Sequence, residues 1–183
     1  MAKLVSKVYG DALFQLAEEK NEISEVWDEI KALTEVLTEN KDFQSVMIHP
    51  SMTGEEKRKM VSEIFKGKLS DTIMGFLDVL VKNGRFSDIF DVFAYYDKQA
   101  KEHFGIGVAN VTTAVELNEA MKNKIEKRLL DITKYQSFVM NFEVDKSLIG
   151  GMIIRIGDRV VDDSIRHNLD RMSANISKIR IGL

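Results

Sequence analysis

Three groups of residues in this 183-residue chain are of the types that do chemistry, and their spacing decides what each can do. Gly150-Gly151 and Gly157 could frame a phosphate-binding loop. A Walker loop, however, needs G-x-x-x-x-G-K-[ST], and a dinucleotide loop needs G-x-G-x-x-G opening a helix. Here the glycine pair precedes a β-branched run, Met152–Ile156, and Gly157 is followed by Asp158, whose charge repels phosphate. His49, His103 and His167 lie far apart and fall in no metal-ligand spacing. The adjacent carboxylates Glu18-Glu19, Glu55-Glu56 and Asp162-Asp163 diverge in a helix or strand, whereas sharing a proton requires convergence. Glu55-Glu56 falls in the first turn of a helix, where the dipole favours anions, and Asp163 is placed as an N-cap. Lys122, Lys124, Lys127 and Arg128 are interleaved with Glu119 and Glu126, which reads as a solvated helix face. There is no cysteine, which excludes thiolate catalysis and disulfides. No catalytic constellation, metal site or cofactor site is expected, and the glycines read as structural, supplying positive φ or close backbone approach at strand ends.

The elements around these residues form two kinds of pattern. Apolar residues step by three and four through the first hundred positions, giving six helices. They begin with Leu4–Ala17 and Ile23–Leu37, followed by a short third segment, Phe43–Ile48, that stops before His49-Pro50. Thr53-Gly54-Glu55-Glu56 is a capping box for the fourth, Ser70 caps the fifth, and the sixth starts at Ser87-Asp88. After Gly105-Ile106-Gly107 the pattern changes to a strand at Val108–Ala114 and a helix capped by Asn118. An alternating strand at Phe138–Val144 comes next, and then the stretch Asp145–Met172 as strand, turn, strand and helix. That last helix carries Ile165, Leu169, Met172, Ile176 and Ile179 on one seam. The expected class is α+β: a six-helix domain at residues 1–105 and a small α/β domain at 106–183. Charge divides at the same place, with 14 basic against 19 acidic residues before it and 12 against 10 after it.

A net charge of −3 gives no general basic footprint for nucleic acid. No run approaches the roughly 20 apolar residues that span a bilayer, so direct membrane insertion is not expected. The N-terminus has neither signal-peptide nor transit-peptide character, which favours a bacterial protein.

What stands out is the width of two apolar faces. At 100° per residue the second helix's apolar arc is about 120°, whereas those of the first and fifth are each about 220°. A helix packed on one side needs roughly 100° or somewhat more. Either these two are central helices buried on two sides, or their outer flanks form a groove for a partner's amphipathic helix. Gly10, Ala12 and Gly75 favour the groove, because small residues admit a close approach.

The stretch DKSLIGGMIIRIGDRVVDDSIRHNLDRM resembles the signature of the δ-subunit family of F-type ATP synthase, which is related to the mitochondrial oligomycin-sensitivity-conferring protein. Tyr9-Gly10-Asp11-Ala12-Leu13-Phe14 is similar to that family's opening Y-A-x-A-L-F, with Gly10 in place of alanine. Phe76–Arg85 is similar to its fifth-helix block. The resemblance covers the whole chain and implies a non-catalytic stator subunit, without cofactor, in a proton-transporting ATP-synthesising complex. The helical domain would bind the N-terminal helix of an α subunit between its first and fifth helices. The α/β domain would meet the C-terminal helices of the b subunits in the peripheral stalk. The chain would then sit on the cytoplasmic face of a bacterial cell membrane through the complex. By matching position, the groove residues are Tyr9, Ala12, Leu13, Leu16, Gly75, Phe76, Val79 and Leu80, with the bundle core as the alternative placement for Leu13, Leu16 and Leu80. Gly150, Gly151, Gly157 and Asp158 are the structural motif. The competing reading is an unrelated helical adaptor or scaffold that binds an amphipathic helix.

Overall fold

The computed structural model describes the backbone of residues 2–49 and 52–180, with side chains at 4–49 and 52–174. The expected break at Pro50 and the seam positions Ile176 and Ile179 lie outside the described residues and side chains. Contacts divide the chain into two units, residues 1–101 and 102–183, a few residues before the glycine turn at which the pattern changes.

The first unit consists of α1 (Ala2–Glu19), α2 (Ile23–Glu39), α3 (Lys41–Ile48), α4 (Gly54–Phe65), α5 (Asp71–Lys82) and α6 (Ile89–His103), with a 3₁₀ turn at Phe86–Asp88 leading into α6. That turn replaces the expected helical start at Ser87-Asp88. The local chemistry explains most boundaries. Thr53 and Glu56 form the reciprocal capping box on α4, and that exchange holds the Glu56 carboxyl below its usual range. Ser70 caps α5, and its N–H and hydroxyl also donate to Glu29 of α2 at 2.9 and 2.7 Å, fixing the start of α5 against a neighbour. Each helix buries one stripe: Val26, Ile30, Leu33 and Leu37 from α2, Ile73, Leu77 and Leu80 from α5, and Val92, Phe93 and Tyr96 from α6. Tyr96 is fully buried with its hydroxyl donating to the Ile23 carbonyl at 3.3 Å, and burial pushes its pKa up to about 12.

The second unit runs β1 (Ile106–Thr113), α7 (Glu119–Ile132), β2 (Ser137–Val144), β3 (Met152–Ile156), β4 (Arg159–Asp162) and α8 (Ile165–Arg180), so the chain is α+β. Sheet order is β2-β1-β3-β4; β1 is parallel to β2 across the α7 crossover, and the other pairs are antiparallel. The register puts Ala109, Met140 and Ile156 side by side, and likewise Val111, Phe142 and Ile154. Since alternate residues share a face, these define the face on which α7 packs, with Ala109, Leu129 and Phe138 at the centre. The opposite face is mixed, with Val108, Val139, Ile153 and Val160 beside polar residues, and Asn141 donates to Asn110 across it at 2.9 Å. Gly107, expected in the turn, instead lies within β1, where a Cβ would fall 2.3 Å from the Phe138 ring.

Candidate functional site: a notch between α1 and α5

Two hydrogen bonds tie α1 and α5 side by side and antiparallel. Asn83 Nδ2 donates to the Tyr9 hydroxyl at 3.0 Å, and Lys20 Nζ donates to Thr72 Oγ1 at 2.9 Å. Tyr9 and Lys20 are eleven residues apart, as are Thr72 and Asn83, so both helices span roughly 16 Å between the two ties. Between them lies the strip to which the sequence points.

The two helices use their wide apolar arcs differently. On α5, Thr72, Ile73, Phe76, Leu77, Leu80 and Val81 are all buried. Most of its arc is therefore filled from within the unit, as a central helix requires, and only Val79 remains out, 45% exposed. On α1 the arc is open on one side. Leu4, Val8, Ala12 and Leu16, each four residues on from the last, are exposed; Val8 is 59% accessible. At 100° per residue Ala12 and Leu16 lie on the flank that carries Tyr9, and so on the side of α5, whereas Leu4 lies beside Asp11 on the flank that meets α6 and Val8 falls between the two. Gly75 and Val79, likewise four apart, flank α5 on the side of Thr72 and Asn83, which face α1. The result is an apolar notch with Ala12 and Leu16 on one wall and Gly75 and Val79 on the other, and with Val8 exposed just beyond its Tyr9 end.

Of the eight residues expected in the groove, Ala12, Leu16, Gly75 and Val79 lie on its surface, and Tyr9 is half-buried at its floor. Leu13, Phe76 and Leu80 do not line it. They are at most 9% exposed, because they sit one step further round each helix and point into the bundle, supporting the notch from beneath. Gly10 also differs from expectation. A Cβ there would lie 2.4 Å from Cδ1 of Tyr95, so Gly10 is small to admit α6 rather than a foreign helix. That side of α1 is closed by Asp11, which accepts from the Tyr95 hydroxyl at 3.0 Å and from Gln99 at 2.8 Å, and by Phe14 against Tyr96. Gly75 has nothing within 4 Å of where a Cβ would stand, which leaves room for a partner.

The glycine motif of the second unit is a folding device. Gly151 has φ +77°, and a Cβ on it would lie 2.1 Å from the Asp163 carbonyl oxygen. Gly150 accepts from the Ile165 N–H at 3.0 Å and lies under the Ile165 side chain. Gly157, with φ +55°, forms the β3–β4 turn with Asp158. The cap of α8 is Ser164, whose hydroxyl accepts from the His167 N–H at 3.1 Å, and not Asp163 as expected. Asp162 provides the preceding turn by accepting from the Ser164 N–H, and Asp145 does the same for Ser147; these bonds hold both carboxyls below their usual range. Among the described residues no cluster of His, Asp and Glu could hold a metal ion, and no helix is long and apolar enough to cross a membrane.

The chain is similar throughout its length to proteins of one kind. The ATP synthase delta (OSCP) subunit family model matches residues 5–176. The ATP synthase subunit delta of Lachnoclostridium phytofermentans is 48% identical over 182 residues, covering 100% of both chains. That of Brevibacillus brevis is 32% identical over 93% of this chain and 97% of its own. A chain in the cryo-EM structure of the Toxoplasma gondii mitochondrial ATP synthase hexamer shares the fold, with a TM-score of 0.72 at 19% identity over 93% of this chain and 96% of that one. A full-length match of this kind leaves the unrelated-adaptor reading without support: the chain belongs to the ATP synthase delta (OSCP) subunit family.

Proposed function

We propose that this chain is the non-catalytic stator adaptor of an F-type ATP synthase. Its first unit holds the N-terminal helix of an α subunit in the α1–α5 notch. Its second unit meets the C-terminal helices of the b subunits. The chain thereby reaches the cytoplasmic face of the cell membrane only through the complex. Family membership supports the complex, and the observation that carries the assignment of the first surface is the open apolar notch. A row of exposed aliphatic residues four apart is what an amphipathic helix buries. Burying a Val or Leu side chain is worth about 1.5–3 kcal/mol, so Val8, Leu16 and Val79 together supply several kcal/mol toward a slowly dissociating joint. Slow release is what torque from a rotor demands, and no acid, base or metal is needed for it. Titrating the full chain with an α-subunit N-terminal helix peptide tests this reading, with the expectation of saturable binding and NMR shifts at Val8, Ala12, Gly75 and Val79.

A further inference from the structure

The second unit has an apolar surface of its own, and it is shaped for one more helix. Strands lie about 4.8 Å apart and a helix with side chains is about 10 Å across, so a single helix covers only about half of a four-stranded sheet. Here α7 packs over β1 and β2, where Ala109, Leu129 and Phe138 are buried. Over β3 and β4 the same face stays open. Met152 and Ile154 are only partly buried, and Val161, paired with Ile154 and hence on that face, is 63% exposed. The wall of α7 beside this opening presents Met121 and Ile132, at 53% and 64% exposure. Between α7, the end of β1 and β3 lies a slot of about 840 Å³ with a mostly apolar lining, and the exposed Val161 of β4 continues that face beyond it.

Its rim is charged on one side. Lys124, Lys127 and Arg128 border it together with one carboxylate, Asp131, and among the described residues none of the three cations forms an ion pair. This charge discriminates between occupants. The chain's own α8 carries an apolar row, Ile165, Leu169 and Met172, that is exposed and of suitable pitch. Its sequence, however, holds Arg166, Arg171, Lys178 and Arg180 against a single acid, Asp170, so it would bring like charge to the rim. We infer that the slot between α7, the end of β1 and β3 receives one amphipathic helix of the peripheral stalk. That helix carries acidic residues along one flank, set against Lys124, Lys127 and Arg128. The inference rests on the stalk reading above and adds to it a face and the sign of the occupant's charge.

The test uses the full chain and the soluble part of the b-subunit pair, with affinity measured by calorimetry at 50 and 300 mM salt. The wild type is expected to bind and to weaken at the higher salt, because rim charges are screened. Combined Lys124→Glu, Lys127→Glu and Arg128→Glu should weaken binding about 30-fold at 50 mM and reverse that salt dependence, because salt now screens repulsion, while affinity for the α-subunit peptide stays unchanged. Ile132→Ser, at an exposed position at the end of α7, should weaken it about tenfold without altering the salt response, and decides the matter if the triple variant does not fold. Variants that bind as the wild type does, with the same salt response, would overturn the slot while leaving the stalk reading intact. A wild-type chain that does not bind the b-subunit pair at all would remove the stalk reading, and the slot with it.

Discussion

The two units offer apolar surface in contrasting ways. In the helical unit the notch lies over a finished core: Leu13, Phe76 and Leu80 are buried beneath it, and two side-chain hydrogen bonds set its width. In the α/β unit the slot is an unfinished part of the core, since Met152 and Ile154 belong to the same face as Ala109 and Phe138 but have no helix over them. A finished surface binds without rearrangement, whereas an unfinished one completes its burial only when its partner arrives; each unit is stabilised by its partner to the extent that affinity and concentration set.

The largest expected effect separates the units outright. Gly151→Ala places a methyl group against the Asp163 carbonyl at a left-handed φ. It should destabilise the α/β unit by at least about 3 kcal/mol, through backbone strain plus overpacking. Trp27, the chain's single tryptophan, lies in α2 with its indole N–H donating to Asp97 of α6 at 2.9 Å. Its fluorescence in a urea titration should therefore still report the unchanged helical unit, whereas NMR signals from β1 and β3 should be lost. Loss of both together would mean that the units do not fold independently.

Next comes alkaline pH, which acts on the helical unit. Tyr96 ionises at about 12 when folded and near 10 in the unfolded chain. Its contribution is intact below pH 10 and declines between pH 10 and 12, because only the unfolded chain loses the phenolic proton there; the loss is at most about 3 kcal/mol. Tyr96→Phe should flatten the fall of that unit's melting temperature over this interval. Acid acts with the opposite sign at the turns of the α/β unit. The bonded carboxylates Asp145 and Asp162 contribute above their ordinary value of 3.8, and that contribution goes as pH falls below it.

Smaller still is the contrast between two helical glycines. Gly10→Ala meets the Tyr95 ring and should cost about 1–3 kcal/mol. Gly75→Ala meets nothing within 4 Å and should stabilise α5 by about 1 kcal/mol through helix propensity. Thermal unfolding of the two variants gives opposite signs if α6 and the open notch are placed as described.

Those glycines also mark how far the sequence could be read. Elements defined by local chemistry were legible: Thr53 with Glu56, Ser70 and Asn118 each cap the helix that their spacing announces. Apolar periodicity likewise gave the alternation of Phe138, Met140, Phe142 and Val144. What the sequence could not distinguish was which side of an apolar arc is already occupied. Gly10 and Gly75 look alike in one dimension, yet one faces Tyr95, some 85 positions along the chain, and the other faces open space. For the same reason α1 and α5 had equal arcs but unequal surplus, and Leu13, Phe76 and Leu80 were expected in the notch although they lie under it. The cations of α7 read as a solvated face because the slot beside them exists only once β3 is paired with β1.

The central claim is that the α1–α5 notch is a preformed helix-binding surface resting on an independent core, and Ala12→Asp and Val79→Asp test it most directly. Calorimetric titration of the full chain with the α-subunit N-terminal helix peptide, paired with thermal unfolding of each variant, gives the answer. Both residues are exposed, so melting should move by no more than the equivalent of about 0.5 kcal/mol, while binding weakens by about 2 kcal/mol or more, some 30-fold. Unchanged affinity in both variants, or unfolding of the helical unit by either, would contradict the account.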